Sequence, residues 1–108
     1  MKKFLVLYRS TISAIDQMAS TTPEQRKVEM DKWMAWGASA STALVEWGAP
    51  LGDSAVLRGS KGPGFVGGYS IVQADSLDSA KRLFDAHPHF GASGASIELL
   101  EIMSMPGK

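Results

Sequence analysis

The sequence contains no cysteine among its 108 residues. Disulfide bonds, zinc sites built on thiolates and thiol catalysis are therefore excluded. Charge of one sign is also not in excess: Lys plus Arg and Asp plus Glu number 11 each, which gives a formal net charge of zero. A nucleic-acid binder needs a basic face, and an electrostatic membrane binder needs clustered basic residues, so we expect no nucleic acid and no membrane among the partners.

Long hydrophobic runs are missing too. The apolar run Phe4–Tyr8 follows two lysines, but it has only five residues and Arg9 ends it. It is too short for the hydrophobic region of a signal peptide, and no stretch is long enough to span a membrane. We therefore predict a cytoplasmic protein in which this run is the first strand.

What is present is typical of one globular domain over residues 1–108. The chain is 44% hydrophobic and 20% charged, close to the average of soluble domains. A chain of this length can bury one ordinary hydrophobic core without disulfides or a structural metal.

The first half of the chain predicts a strand, a loop and one long helix. The strand covers residues 3–9, and residues 10–21 show no period and are expected to form a loop. Thr22 can cap a helix whose first residue is Pro23, with Gln25 at the capping-box position. Apolar residues at helical spacing then extend to Trp47, and Gly48 follows as a helix-terminating glycine, so the predicted helix covers residues 23–47.

The second half predicts three strands and one helix. The strands cover residues 55–58, 65–74 and 95–103, with a bulge or a close backbone approach at Gly67-Gly68. The helix covers residues 77–87, with Ser76 as its cap and Pro88 as its stop. Residues 59–64 are rich in glycine, but they precede a strand and lack the phosphate-loop pattern, so we interpret them as a hairpin connection. Residues 106–108 are expected to form a frayed tail.

The order of these elements is β-α-β-β-α-β, the ferredoxin-like arrangement of an α+β protein. Right-handed crossovers place both helices on one face of a four-stranded antiparallel sheet. The strands are apolar on both faces, as Phe4–Leu7 shows, and such a sheet must be covered on both sides. We therefore predict a homodimer in which the two sheets face each other.

Several segments of the chain, in this order and spacing, resemble the YCII-related domain family within the dimeric α+β barrel superfamily. They are MKKFLVLYRS, TPEQRKVEMDKWMAWG, GAPLGD, GGYSIVQADSLDSAKRLFDAHPHF and SIELLEIMSMPG. The resemblance covers nearly the whole chain. It implies a ferredoxin-like protomer, a dimer of facing sheets and a cleft between sheet and helices; some members of the family are regarded as enzymes.

One departure from the family pattern bears on chemistry. Members similar to the founding type carry a histidine in the N-terminal half, paired with an aspartate as an acid-base pair. Here the first histidine is His87, so that pair cannot be carried over. Any catalysis has to use other residues.

His87 and His89 are the only histidines, and they lie two residues apart where the second helix is expected to end. Imidazole titrates near neutral pH, so the two are candidates for acid-base catalysis. The alternatives are that His87 stabilises the helix C-terminus while His89 lies in a loop, or that both bind a metal with Asp53 or Asp85. We predict no metal and no cofactor, and axial heme ligation by a histidine ranks last.

The other candidates lie near strand ends and turns. Tyr8 and Arg9 end the first strand, where Arg9 could hold a carboxylate or phosphate or be a solvated strand end. Asp53 could act as a general base or hydrogen-bond within its own turn. Tyr69 follows two glycines and could line a pocket or pack in the sheet. Trp36, placed at the flank of a stripe formed by Trp33 and Trp47, could form an aromatic wall or pack in the core.

These residues lead to two hypotheses. The first is a small-molecule enzyme of the YCII-related type that binds a polar aromatic or carboxylate ligand in the cleft. His87 or His89, with Asp53, would be catalytic, and Tyr8, Arg9, Tyr69 and Trp36 would bind the substrate. The alternative is a non-catalytic dimeric module that binds a ligand or assists another protein.

Overall fold

The computed structural model describes residues 1–91 and 94–104, and the predicted tail at 106–108 lies outside them. Four strands and three helices follow each other along the chain. They are β1 (Lys2–Ser10), α1 (Ala14–Ala19), α2 (Pro23–Ala40), β2 (Leu44–Pro50), β3 (Phe65–Ala74), α3 (Leu77–Arg82) and β4 (Ser96–Ile102). Short 3-10 turns cover Ser41–Ala43 and Pro88–Gly91.

The four strands form one antiparallel sheet in the order β2-β3-β1-β4. This is the predicted ferredoxin-like α+β arrangement, with β1 and β3 in the centre and the helices packed on one face. The prediction for the protomer fold is therefore confirmed. No helix within residues 1–91 and 94–104 has the length and apolar character needed to cross a membrane.

The core lies between the sheet and the helices because side chains alternate along β1. Phe4, Val6 and Tyr8 are buried beneath the helices, whereas the residues between them point to the opposite face. Val72 continues this buried layer on β3, and Phe84 covers it from the segment after α3. Each fully buried side chain of this size contributes about 1.5–3 kcal/mol.

Three local features that the sequence predicts are present in the structure. Thr22 accepts a hydrogen bond from the Gln25 backbone while the Gln25 side chain accepts one from the Thr22 N–H, which completes the capping box. Ser76 caps α3. The register of β1 with β3 passes from Tyr8↔Gly68 to Arg9↔Val66, so Gly67 is the extra residue of a β-bulge.

The predicted helix over residues 23–47 was wrong beyond Ala40. Ser41 adopts φ 53°, which ends α2, and β2 begins at Leu44. Trp47 therefore lies on a strand and not on the helix. Gly48 is also not a helix terminator: it lies within β2 at φ 75°, where a Cβ would overlap the backbone carbonyl of Tyr69. Strand pairing with β3 outweighs a helical period carried by weakly helix-forming Ser, Thr and Gly.

The predicted strand at residues 55–58 is also wrong, since the second strand of the sheet is β2. Residues 51–64 form a long connection between β2 and β3 with no regular structure. Two further boundaries differ from prediction. Residues 10–21, expected as a loop, contain the short helix α1, and the helix expected over 77–87 ends at Arg82. His87 consequently lies in a turn beyond the helix.

The face of the sheet opposite the helices, which we call the open face, carries apolar side chains from three strands. Leu100 and Ile102 of β4 are 40% and 46% exposed, and they pair with Leu5 and Lys3 of β1. Leu7 and Ile71 add half-buried aliphatic surface nearby. No described helix covers these residues, so an apolar patch on the open face is left partly exposed in the single protomer, with charged and polar side chains such as Lys3 and Glu98 around it.

Candidate functional site

His87 is held in the interior by the chain that follows α3. Its backbone N–H donates to the Phe84 carbonyl at 3.2 Å, and its own carbonyl accepts from the N–H of Phe90 at 3.2 Å. These turns direct the imidazole under the sheet, where the residue is only 3% exposed. A histidine this buried has lost nearly all its contact with water.

Aromatic rings surround the His87 imidazole. Its centroid lies 4.4 Å from that of Trp36 and 4.5 Å from that of Trp33, both contributed by α2. The Tyr8 ring is stacked on it at 5.1 Å, and Phe84 lies at 5.5 Å. We call these five residues the aromatic cluster.

Hydrogen bonding defines the protonation of His87. Its Nδ1 accepts the backbone N–H of His89 at 3.0 Å, so in the neutral ring the proton is on Nε2. That buried Nε2 has no hydrogen-bond partner among the described residues. Burial, followed by repulsion from the nearby His89, lowers the pKa of His87 from 6.5 to about 4. The ring is therefore neutral at physiological pH.

Tyr8 contributes a second buried polar group to the aromatic cluster. Its hydroxyl donates to Ser70 Oγ at 3.0 Å, and Ser70 Oγ donates in turn to the Trp47 carbonyl at 2.7 Å. Burial raises the pKa of Tyr8 to about 12, although the hydrogen bond to Ser70 acts in the opposite direction. Tyr8 remains a neutral phenol over the ordinary pH range.

Trp36 belongs to the core and not to the flank of the helix, which corrects the expected arrangement of the tryptophans. It is 7% exposed, and its indole Nε1–H donates to the Leu83 carbonyl at 2.7 Å. Trp33 packs against the core and is partly buried, whereas Trp47 is 45% exposed on β2. The misplaced end of α2 accounts for Trp47, which lies on β2.

His89 lies beside the aromatic cluster, and its side chain contacts backbone carbonyls of the sheet. Its Nε2 is 2.8 Å from the Arg9 carbonyl and 3.1 Å from the Ser96 carbonyl. Carbonyl oxygens only accept, so Nε2 carries the proton and donates to both. Arg9 and Ser96 form the last register pair of β1 with β4, and His89 therefore bridges the end of this ladder.

A cleft of about 510 Å³ lies where β1 and β3 meet the connection 51–64. Its charged lining residues are Arg9, Asp53 and Lys61. The Arg9 guanidinium is 3.3 Å from Glu98 Oε1, and Lys61 Nζ lies 4.3 Å above the ring of Phe65. Apolar lining residues complete the walls: Ile15, Leu51, Phe65 and Val66.

The structure thus places the predicted site residues in three locations. Tyr8, Trp36 and His87 belong to the aromatic cluster, and His89 adjoins it. Arg9 and Asp53 line the cleft together. Tyr69 lies on the open face, where its hydroxyl donates to Glu46 at 3.1 Å, and this hydrogen bond raises the pKa of Tyr69.

Sequence reasoning missed Lys61 as a member of the cleft and Ser70 as the partner of Tyr8. Lys61 is the one basic residue in the glycine-rich run 59–64, which was a usable signal. Ser70 is a polar residue at an inward-facing position of β3, 1% exposed, which is rare without a specific partner. Within residues 1–91 and 94–104, no group of three or more metal-ligating side chains is assembled.

Comparison with protein-family models gives no match to this chain, and comparison with curated proteins gives none either. Among solved structures, the chain is similar to 5-chloro-2-hydroxyhydroquinone dehydrochlorinase (TftG) from Burkholderia phenoliruptrix AC1100, in complex with 2,5-dihydroxybenzoquinone. The two share 19% sequence identity over 89% of this chain and 90% of the other, with a TM-score of 0.46.

Proposed function

We propose that the protein binds a small organic anion, above all a carboxylate with an apolar or aromatic body, in the cleft. The observation that carries this proposal is the presence of Arg9, Lys61 and Asp53 in one cleft of about 510 Å³. That volume is within the range of small-molecule sites. Arg9 is paired with Glu98, so the preference for an anion rests on the guanidinium N–H groups that Glu98 leaves free and on the Lys61 ammonium.

Each lining group has a distinct task in this proposal. The Arg9 guanidinium can bind a carboxylate through two parallel hydrogen bonds, and Glu98 holds it in place from the side. Lys61 supplies a second positive charge. Asp53 can accept a hydrogen bond from a hydroxyl of the ligand or, in an enzyme, remove its proton. Ile15, Leu51 and Phe65 provide apolar walls for the body of the ligand.

Benzoate and benzamide form a matched pair of probes for this site, because they have nearly the same shape and differ in charge. We expect benzoate to shift the amide NMR signals of residues lining the cleft and to bind more tightly than benzamide. Arg9→Gln or Lys61→Gln should weaken benzoate binding roughly 10- to 150-fold, since a hydrogen bond to a charged group contributes about 1.5–3 kcal/mol.

Lys27→Gln is the control for these variants. It removes the same charge from an exposed position on α2 that does not line the cleft, and benzoate affinity should not change. Equal affinity for benzoate and benzamide, or no signal change in the cleft at tens of millimolar benzoate, would refute the proposal.

A second candidate is acid-base chemistry by His87, and the unpartnered Nε2 favours it. A buried polar atom without a partner costs stability, so its retention calls for a reason. In this alternative a ligand that enters the aromatic cluster accepts a hydrogen bond from Nε2, with His89 as its neighbour. A thermal-shift screen on wild type and His87→Phe tests it: a ligand whose stabilising effect survives the substitution does not use His87.

We also propose that two copies associate through their open faces, as the YCII-related resemblance implies. The exposed aliphatic side chains of β1, β3 and β4 support this, because a second sheet would remove them from water. The protein would then be a dimeric YCII-related small-molecule enzyme. A dimeric ligand-binding or accessory module is the alternative, and turnover of a bound ligand would distinguish the two.

A further inference from the structure

We propose that His89 is a positioning residue that fixes the end of β1 so that Arg9 presents its guanidinium to the cleft. This inference rests on the proposed anion site, and it gives His89 a role through the backbone, not through proton transfer. The starting observation is the pair of hydrogen bonds from His89 Nε2 to the carbonyls of Arg9 and Ser96, at 2.8 and 3.1 Å.

The end of β1 needs this support because its neighbours hold it weakly. On one side, the β-bulge at Gly67 interrupts the pairing with β3 between Tyr8 and Arg9. On the other side, the pair Arg9↔Ser96 is the terminal pair of the ladder with β4, because β4 begins at Ser96. A bulge disrupts the ladder locally, and terminal pairs open most easily. His89 bridges the two strands at this point.

His89 is itself held by the aromatic cluster. Its backbone N–H donates to His87 Nδ1 at 3.0 Å, and its ring lies 5.4 Å from that of Tyr8. The ring cannot turn away without losing both carbonyls. The packing of the buried rings therefore restrains His89, and His89 in turn restrains the Arg9 backbone through its carbonyl. The Arg9 side chain extends from this restrained backbone, and its guanidinium contacts Glu98.

The order of the Arg9 side chain in the ligand-free protein is the first test. We expect the Nε–Hε signal of Arg9 to show restricted motion in wild type and greater motion in His89→Ala, while Arg58 and Arg82 serve as internal references. His89→Gln should restore restriction, because its side-chain amide can still donate to a carbonyl. Unchanged Arg9 dynamics in His89→Ala would overturn the inference, whether or not benzoate binds.

Probe affinity is the second test. His89→Ala should weaken benzoate binding about three- to tenfold, the effect of one or two ordinary hydrogen bonds, and leave benzamide binding unchanged. His89→Gln should recover most of the benzoate affinity. An equal loss for both probes would show general disruption of the cleft and contradict a role through Arg9. If benzoate fails to bind wild type while the Arg9 signal responds to His89→Ala, the proposed function fails and the positioning role stands.

Discussion

The imidazole of His87 is stacked on the phenol ring of Tyr8, with centroids 5.1 Å apart and planes inclined by 26°. Both residues are 3% exposed, and burial shifts the pKa of each in the direction that favours the neutral form. The pair therefore stabilises the fold only while both groups are uncharged. The free energy of unfolding should consequently decrease at acidic pH, where His87 is protonated, and at alkaline pH, where Tyr8 is deprotonated.

On the acidic side, His87 should make stability fall between pH 6.5 and about 4. The pKa of His87 is about 4 in the folded protein and 6.5 as its ordinary value, so the unfolded chain binds the proton first as pH decreases. The free energy of unfolding should decrease by about 3 kcal/mol across this interval from His87 alone. Urea unfolding of wild type and His87→Phe at a series of pH values measures it.

The difference between the two proteins isolates His87, because carboxylates titrate in both. We expect the steeper pH dependence in wild type and a shallower one in His87→Phe, which has no proton to gain. Parallel stability curves over pH 4–6.5 would contradict the shift in the His87 pKa.

On the alkaline side, Tyr8 should lose its contribution between pH 10 and 12. The raised pKa of about 12 means that the unfolded chain releases the phenol proton before the folded protein does. Stability is therefore full below pH 10 and decreases as pH rises toward 12. The chain has only two tyrosines, so Tyr69→Phe leaves Tyr8 as the one phenol to follow by its ultraviolet absorbance. A midpoint at pH 10 with the fold intact would rule out its burial.

Gly48 tests the corrected position of β2. It adopts φ 75°, and a Cβ there would overlap the Tyr69 carbonyl, so Gly48→Ala combines a strained backbone with a backbone clash. Gly59 has a similar φ of 88° but nothing within 4 Å of its Cβ position, which makes Gly59→Ala a matched control. We expect a loss of about 1 kcal/mol for Gly59→Ala and about 3 kcal/mol or more for Gly48→Ala. Thermal or urea unfolding measures the stability of both variants. If Gly48 ended a helix in open solvent, Gly48→Ala and Gly59→Ala would lose the same stability.

The sequence predicted the elements whose signals are local. The capping box at Thr22, the cap at Ser76 and the first strand over residues 3–9 involve neighbours within a few residues, and these predictions were confirmed. The stretch from Ser41 to Trp47 was misassigned because its apolar residues fit a helical period, while the decisive interaction is pairing with β3 far along the chain. Local spacing carries no information about such a partner.

The candidate site also has one part that the sequence could predict and another that it could not. Histidine and arginine could be selected by residue type, and Arg9 with Asp53 lies in one cleft. The separation of His87 from that cleft could not be predicted, because it depends on α3 ending at Arg82 and on turns that direct the ring inward. The contribution of Lys61 depends on how the connection 51–64 folds against β1, which has no periodic signal.

The open face predicts the oligomeric state, and Leu100 is the residue with which to test it. Leu100 is 40% exposed in the protomer, so Leu100→Glu should leave the protomer folded while placing a charge in the proposed contact between sheets.

Met34 is 56% exposed on α2, on the other side of the molecule, and Met34→Glu is the matched control. Light scattering at micromolar concentration should give twice the 11.5 kDa chain mass for wild type and Met34→Glu, and the single-chain mass for Leu100→Glu. An unpaired buried charge at an interface costs several kcal/mol, enough to separate a dimer at these concentrations. A monomeric wild type, or a dimer that both variants retain, would exclude association through the open face.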